Sequence, residues 1–139
     1  MGKRFGKALQ ALALILLITV ACFAFMPWKM CDVIENLDDV ERCMILRYDQ
    51  SYSTAYPQDG ELQGFVTTLQ GAIGHFDRNR NHLMYWGDAP LYRIYFWSEE
   101  GRIPDVWLCG TAIFYEGAQY ILNDDVAEQL NQILASCFS

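Results

Sequence analysis

The stretch Ala8 to Met26 (ALQALALILLITVACFAFM) carries one strongly polar side chain, Gln10, and it splits the chain into two parts that cannot share a solvent. In a helix rising 1.5 Å per residue, about 20 apolar residues cover a hydrocarbon layer of ~30 Å. Lys3, Arg4 and Lys7 precede the run and no acidic residue does. The basic tip is therefore expected on the cytoplasmic side, with everything after the run emerging on the other. Trp28 falls where an interfacial aromatic sits, beside Lys29. The basic flank and the length argue against a helix buried in a soluble core.

Three forms of this segment stay open. An uncleaved signal anchor over residues 1–28 fits the length and the bulky Phe23, Phe25 and Met26. Cleavage after Ala21 would use Thr19 and Ala21 as the small residues of a signal-peptide site. Thr19-Val20-Ala21-Cys22 also reads as a lipobox, making Cys22 the candidate lipidation site. Each form exports the domain. The partner through residues 8–28 is the membrane, and the alternatives leave the domain secreted or lipid-anchored.

The rest is one domain's worth of chain. Residues 29–39 are acidic and weakly patterned, and read as a stalk, which leaves 40–139 as an extracytoplasmic domain. From Lys29 onward 17 acidic residues face 7 basic ones. A surface so acidic is repelled by nucleic acid and by anionic headgroups, which excludes both as natural partners.

Val40 to Tyr48 alternates as a strand. Asp49 to Gly60, with Pro57, reads as a connection. Asp59 is a helix N-cap, and Leu62, Phe65, Val66, Leu69 and Ile73 form one apolar stripe of a helix over Gly60 to Phe76. Asp77 to His82 is a break. Leu91 to Trp97 alternates, Asp105 to Thr111 pairs back on it, and Glu116-Gly117 turns Ala112 to Tyr115 into Gln119 to Leu122. Asn123 caps a closing helix with the stripe Val126, Leu130, Ile133 and Leu134. The order β-α-β-β-β(-β)-α predicts an α+β domain of two layers, a mostly antiparallel sheet with both helices on one face.

Cys31, Cys43, Cys109 and Cys137 lie outside the apolar run, and no CxxC pair is present. Four cysteines permit three connectivities. Cys43–Cys109 between two strands, with Cys31–Cys137 joining the domain ends, is the expected pairing if they oxidise.

The strand ending in Tyr48, the stripe Leu62/Phe65/Val66/Leu69, the hairpin Tyr115-Glu116-Gly117-Ala118-Gln119-Tyr120 and the terminal helix resemble a group of small domains. These are membrane-anchored or lipoprotein domains of Gram-positive bacteria, mostly of unknown function. The likeness spans residues 40 to 135 and implies no catalytic residue.

Chemistry finds little footing. His75, Asp77 and His82 are the one candidate metal cluster, yet their spacing matches no common zinc pattern, and His75 reads better as the end of a helix. No GxSxG, Gly-rich phosphate loop or Cys–His context appears. The carboxylate pairs Asp38/Asp39, Glu99/Glu100 and Asp124/Asp125 fall in turns and caps. Neither a catalytic site nor a cofactor is implied. If Tyr92, Ile94 and Phe96 face the helices, then Tyr95 and Trp97 point away, joined by Trp107 and Tyr115 from neighbouring strands. Such rings suit a protein, peptide or glycan partner. The expected role is a non-catalytic binding module. The alternatives are a released or lipid-anchored modulator of a cell-surface enzyme and, third, an enzyme.

Overall fold

The computed structural model describes residues 2–49, 51–77 and 89–139. Helix α1 (Gly2–Phe25) is continuous through the basic tip and runs about 36 Å at 1.5 Å per residue. Its span Gly2–Phe23 has a mean hydropathy of 2.0, and none of it is buried against the domain. It is long and apolar enough to cross a membrane, or to serve as a signal sequence.

The domain begins at once. Strand β1 (Pro27–Lys29) starts two residues after α1 and pairs antiparallel with β4 (Ile73–Asp77). The short helix α2 (Met30–Val33) and a 3-10 turn (Leu37–Asp39) follow. Met30 and Ile34 are fully buried and Leu37 nearly so. The segment expected to be a stalk is thus part of the core, and the domain boundary moves from residue 40 to Met26. Met30, Ile34 and Leu37 stand at i, i+4 and i+7, a helical apolar stripe hidden among acidic neighbours. Trp28, expected at the lipid interface, is half-buried and packs against the core cluster.

The remaining elements are β2 (Val40–Tyr48), β3 (Tyr52–Ala55), α3 (Asp59–Gly71), β5 (Leu91–Ser98), β6 (Gly101–Cys109), β7 (Ala112–Tyr115), β8 (Ala118–Leu122) and α4 (Asp124–Ser136). The strands form one sheet in the order β1-β4-β8-β7-β6-β5-β2-β3, and every neighbouring pair is antiparallel. Helices α3 and α4 pack together on one face of it, so the predicted two-layer α+β architecture is the one that forms.

The core lies between the helices and one parity of the strands. Leu62, Phe65, Val66 and Leu69 of α3 and Ala127, Leu130 and Leu134 of α4 meet Cys43, Ile45, Tyr92, Ile94, Phe96, Ile103, Val106, Leu108 and Ile113. Phe65 stacks on Phe96 with ring centroids 6.0 Å apart. Burying each such side chain contributes roughly 1.5–3 kcal/mol relative to leaving it in water.

Three strands were not expected. The helix predicted over Gly60 to Phe76 ends at Gly71, where Ala72 turns extended (φ −69°, ψ 139°) and the chain becomes β4. Asp59 is not the N-cap: that position is Gln58, and Asp59 opens the helix with φ 48°. The connection Asp49 to Gly60 contains β3, an edge strand paired with β2. In β4, Gly74 has no room for a side chain. A Cβ there would lie 2.9 Å from Met30 Cε and 3.0 Å from Tyr120 Cβ. The hairpin at Glu116 (φ 46°) and Gly117 (φ 80°) has both central residues left-handed, the type I′ signature that matches strand twist.

Candidate binding face

The sheet surface turned away from the helices is built from the other strand parity. Register pairs Arg42 with Trp97, Met44 with Tyr95, Leu46 with Arg93 and Tyr48 with Leu91 between β2 and β5. Across β6 it pairs Arg93 with Trp107, and across β7 Trp107 with Phe114. Tyr95, Trp97 and Trp107 all lie on this face and all are half-buried. Tyr115 does not join them. Because Phe114 takes the outward position opposite Trp107, its neighbour Tyr115 turns inward and is 5% exposed. The run Ala112 to Tyr115 is apolar throughout, so its parity carries no signal.

Arginine stems cover the aromatic rings. The Arg93 guanidinium sits 4.7 Å from the Trp107 ring centroid and 4.9 Å from that of Tyr95. Arg102 lies 4.6 Å from Tyr95 on the same ladder, and Arg42 lies 5.5 Å over Trp97. Tyr48 stacks on Trp107 at 6.5 Å with planes 6° apart, and Tyr95 on Trp97 at 6.3 Å. Such guanidinium–ring contacts are worth about 0.5–1 kcal/mol each when exposed.

Asp105 organises the ladder. Arg93 Nε donates to its Oδ2 at 2.9 Å, and Arg102 donates to Oδ1 at 2.6 Å. A β-bulge places it there. The register slips between Ile94 and Phe96 because Ile94 faces Val106 while Phe96 faces Ile103, leaving Pro104 and Asp105 opposite Tyr95 alone. Pro104 has no amide hydrogen for the ladder, so an irregularity at this point is where it fits.

Three of the seven basic residues from Lys29 onward therefore stand on one face of an acidic domain. Alternation along Leu91 to Trp97 puts Arg93 on the side of Tyr95 and Trp97, but the sequence alone gives it no role there. Arg42, Arg102, Asp105 and Tyr48 were missed altogether, although Arg93, Tyr95 and Trp97 at alternate positions already signal one decorated face.

The other candidates fall apart in space. Cys43 is buried on the helix side of β2, whereas Cys109 ends β6 on the opposite face, with β5 between them. Two strand spacings, about 9.5 Å, together with opposite faces rule out a Cys43–Cys109 bridge. Cys31 is exposed and Cys137 packs on the core, its thiol donating to the Ile133 carbonyl at 3.3 Å; they are separate thiols. Burial, with the neighbouring Cys137, pushes the Cys43 thiol far above its ordinary value. Such a thiol is held protonated and is no nucleophile. Cys22 lies in the last turn of α1.

His75 is exposed in β4 opposite Ile121 rather than at a helix end. Asp77 accepts a hydrogen bond from Gln119 Nε2 at 3.2 Å, and His82 lies outside the described residues. Among the described residues no group of three or more His, Cys, Asp or Glu side chains could hold a metal ion. Compared with protein-family models, with curated proteins and with solved structures, the chain finds no match.

Proposed function

We propose that this chain is a membrane-tethered, non-catalytic binding module whose domain lies outside the cytoplasm and engages its partner through the outer sheet face. The observation that carries this reading is the ladder of Arg42, Arg93 and Arg102 on Tyr95, Trp97 and Trp107, held by Asp105. Rings already fixed by packing lose little entropy on binding, and guanidinium groups supply directed donors for an acceptor-rich protein, peptide or glycan. Orientation follows from Lys3, Arg4 and Lys7 before α1. The resemblance to small anchored or lipoprotein domains of Gram-positive bacteria belongs to this same reading.

The test is site-specific photocrosslinking of the full chain in intact cells. A photoreactive residue at Thr54, exposed on the outer face opposite Leu46, is expected to give a discrete heavier adduct. The same residue at Gln129 or Gln132, exposed on α4, is expected to give none. Equal adducts from both faces, or none from the outer face, would reject the proposal.

A further inference from the structure

Helix α1 and the sheet meet at one corner, and the strand register decides which residues stand there. Helix α1 runs almost directly into β1 and touches β4. From Ala8, which follows the basic tip, to Phe25 the helix rises about 27 Å, so a hydrocarbon layer of ~30 Å ends near Met26. Strand β4 runs antiparallel to β1, with Lys29 opposite Ile73, Trp28 opposite Gly74 and Pro27 opposite His75. Each step along β4 therefore leads back toward α1, and the next residue, Phe76, comes level with Met26. Strand β8 extends the corner, because Tyr120 pairs with Phe76 and their rings meet edge to face at 5.9 Å. Phe76 is 38% exposed. Beyond Met26, the other large hydrophobic side chains exposed among the described residues are Tyr52 and Tyr56, at the far edge of the sheet. Those two offer a hydroxyl to water, and Phe76 offers none.

We infer that the β4–β8 corner rests in the interface of the membrane that α1 crosses, with the Phe76 ring, backed by Tyr120, seated against the lipid. This rests on α1 spanning a bilayer and goes beyond it in fixing how the domain lies on that bilayer. Aromatic side chains favour the boundary between hydrocarbon and water. Continuity with α1 names the occupant: Phe25 and Met26 are exposed too, so the apolar surface of the helix carries on to the level of Phe76. Met26 alone joins α1 to β1, so the corner is held beside the lipid already, and the contact costs little further entropy. The corner is also acidic, with Asp77 next to Phe76 and Glu116 in the β7–β8 turn. Those charges repel anionic headgroups, so the surface it fits is zwitterionic.

The experiment uses the full chain in phosphatidylcholine nanodiscs, with trifluoromethylphenylalanine in place of Phe76, Tyr52 or Leu16, one site at a time. Fluorine signals are read with and without dissolved oxygen, which concentrates in lipid and is scarce both in water and in a protein core. The oxygen-induced shift at Phe76 is expected to be at least about threefold that at Tyr52, which stands at the far edge of the sheet. Leu16, in the middle of α1, is the reference for the bilayer itself. A large shift at Leu16 with equal, small shifts at Phe76 and Tyr52 overturns the contact and leaves α1 in the membrane. A small shift at Leu16 takes α1 out of the bilayer and overturns the contact with it. In phosphatidylglycerol nanodiscs the ratio of Phe76 to Tyr52 is expected to fall, and a ratio that rises there overturns the assignment to a zwitterionic surface.

Discussion

Arg93 is held by Asp105, Nε to Oδ2 at 2.9 Å, while the same guanidinium lies 4.7 Å from the Trp107 ring centroid. One side chain thus joins β5 to β6 by charge and by stacking, and the bulge at Pro104 makes both contacts reachable. Replacing Asp105 by Asn removes the charge and leaves the shape. The expected cost is about 1 kcal/mol, since Arg93 and Arg102 are only partly buried and solvent screens the pair. Arg93→Lys should cost a similar amount, because an ammonium cannot donate a planar fork while stacking. Urea unfolding of the full chain in detergent reads both; an unchanged midpoint would mean the ladder is ornamental to stability.

Gly74 and Gly64 make opposite predictions. A Cβ at Gly74 would collide with Met30 and Tyr120, both at 3.0 Å or less, so Gly74→Ala should destabilise the domain by about 1–3 kcal/mol. Gly64 lies inside α3 with nothing within 4 Å, so Gly64→Ala should stabilise by about 0.5–1 kcal/mol through helix propensity. Thermal melts of the two variants should move in opposite directions from the parent.

The domain should lose stability in alkali. Burial is the leading cause that holds the thiols of Cys43, Cys109 and Cys137 and the phenols of Tyr92, Tyr115 and Tyr120 above their ordinary values. A raised acid favours the folded state fully below its unfolded value, 9.0 for these thiols and 10.0 for these phenols, and that gain drains as pH climbs toward the folded value. The melting temperature should therefore hold up to about pH 8 and fall steeply above about pH 9. A flat profile through about pH 11 would contradict the buried placement of these groups.

Thiol chemistry should follow exposure. Cys31 is exposed and Cys43 is 4% exposed, so an alkylating reagent should modify Cys31 many-fold faster in the folded chain and both equally in urea. Peptide mapping after oxidation should never recover Cys43 linked to Cys109.

Where the fold was legible, one periodicity dominated. Leu62, Phe65, Val66 and Leu69 declared α3, and Tyr92, Ile94 and Phe96 declared the inner face of β5, because each element has one wet side. The turn at Glu116-Gly117 was legible because few residue types tolerate its left-handed backbone. Strand β4 was not, because Ile73 continues the α3 stripe at helical spacing and nothing local marks Ala72 as the break. The stretch 30–37 failed for the opposite reason, its acids masking Met30, Ile34 and Leu37. The binding face was half legible. Alternation placed Tyr95, Trp97 and Trp107, but the part of Asp105 depends on a bulge that only strand pairing reveals, and Tyr115 was misplaced because its strand has no polar position to set parity.

The central claim is that α1 holds the chain in a membrane and that the domain starts folding outside it without a stalk. Mass mapping after a membrane-impermeant maleimide is applied to intact cells tests this most directly. Cys31, exposed six residues beyond Phe25, should be labelled as fully before permeabilisation as after it. Labelling of Cys31 only in permeabilised cells would place the domain on the cytoplasmic side and contradict the account.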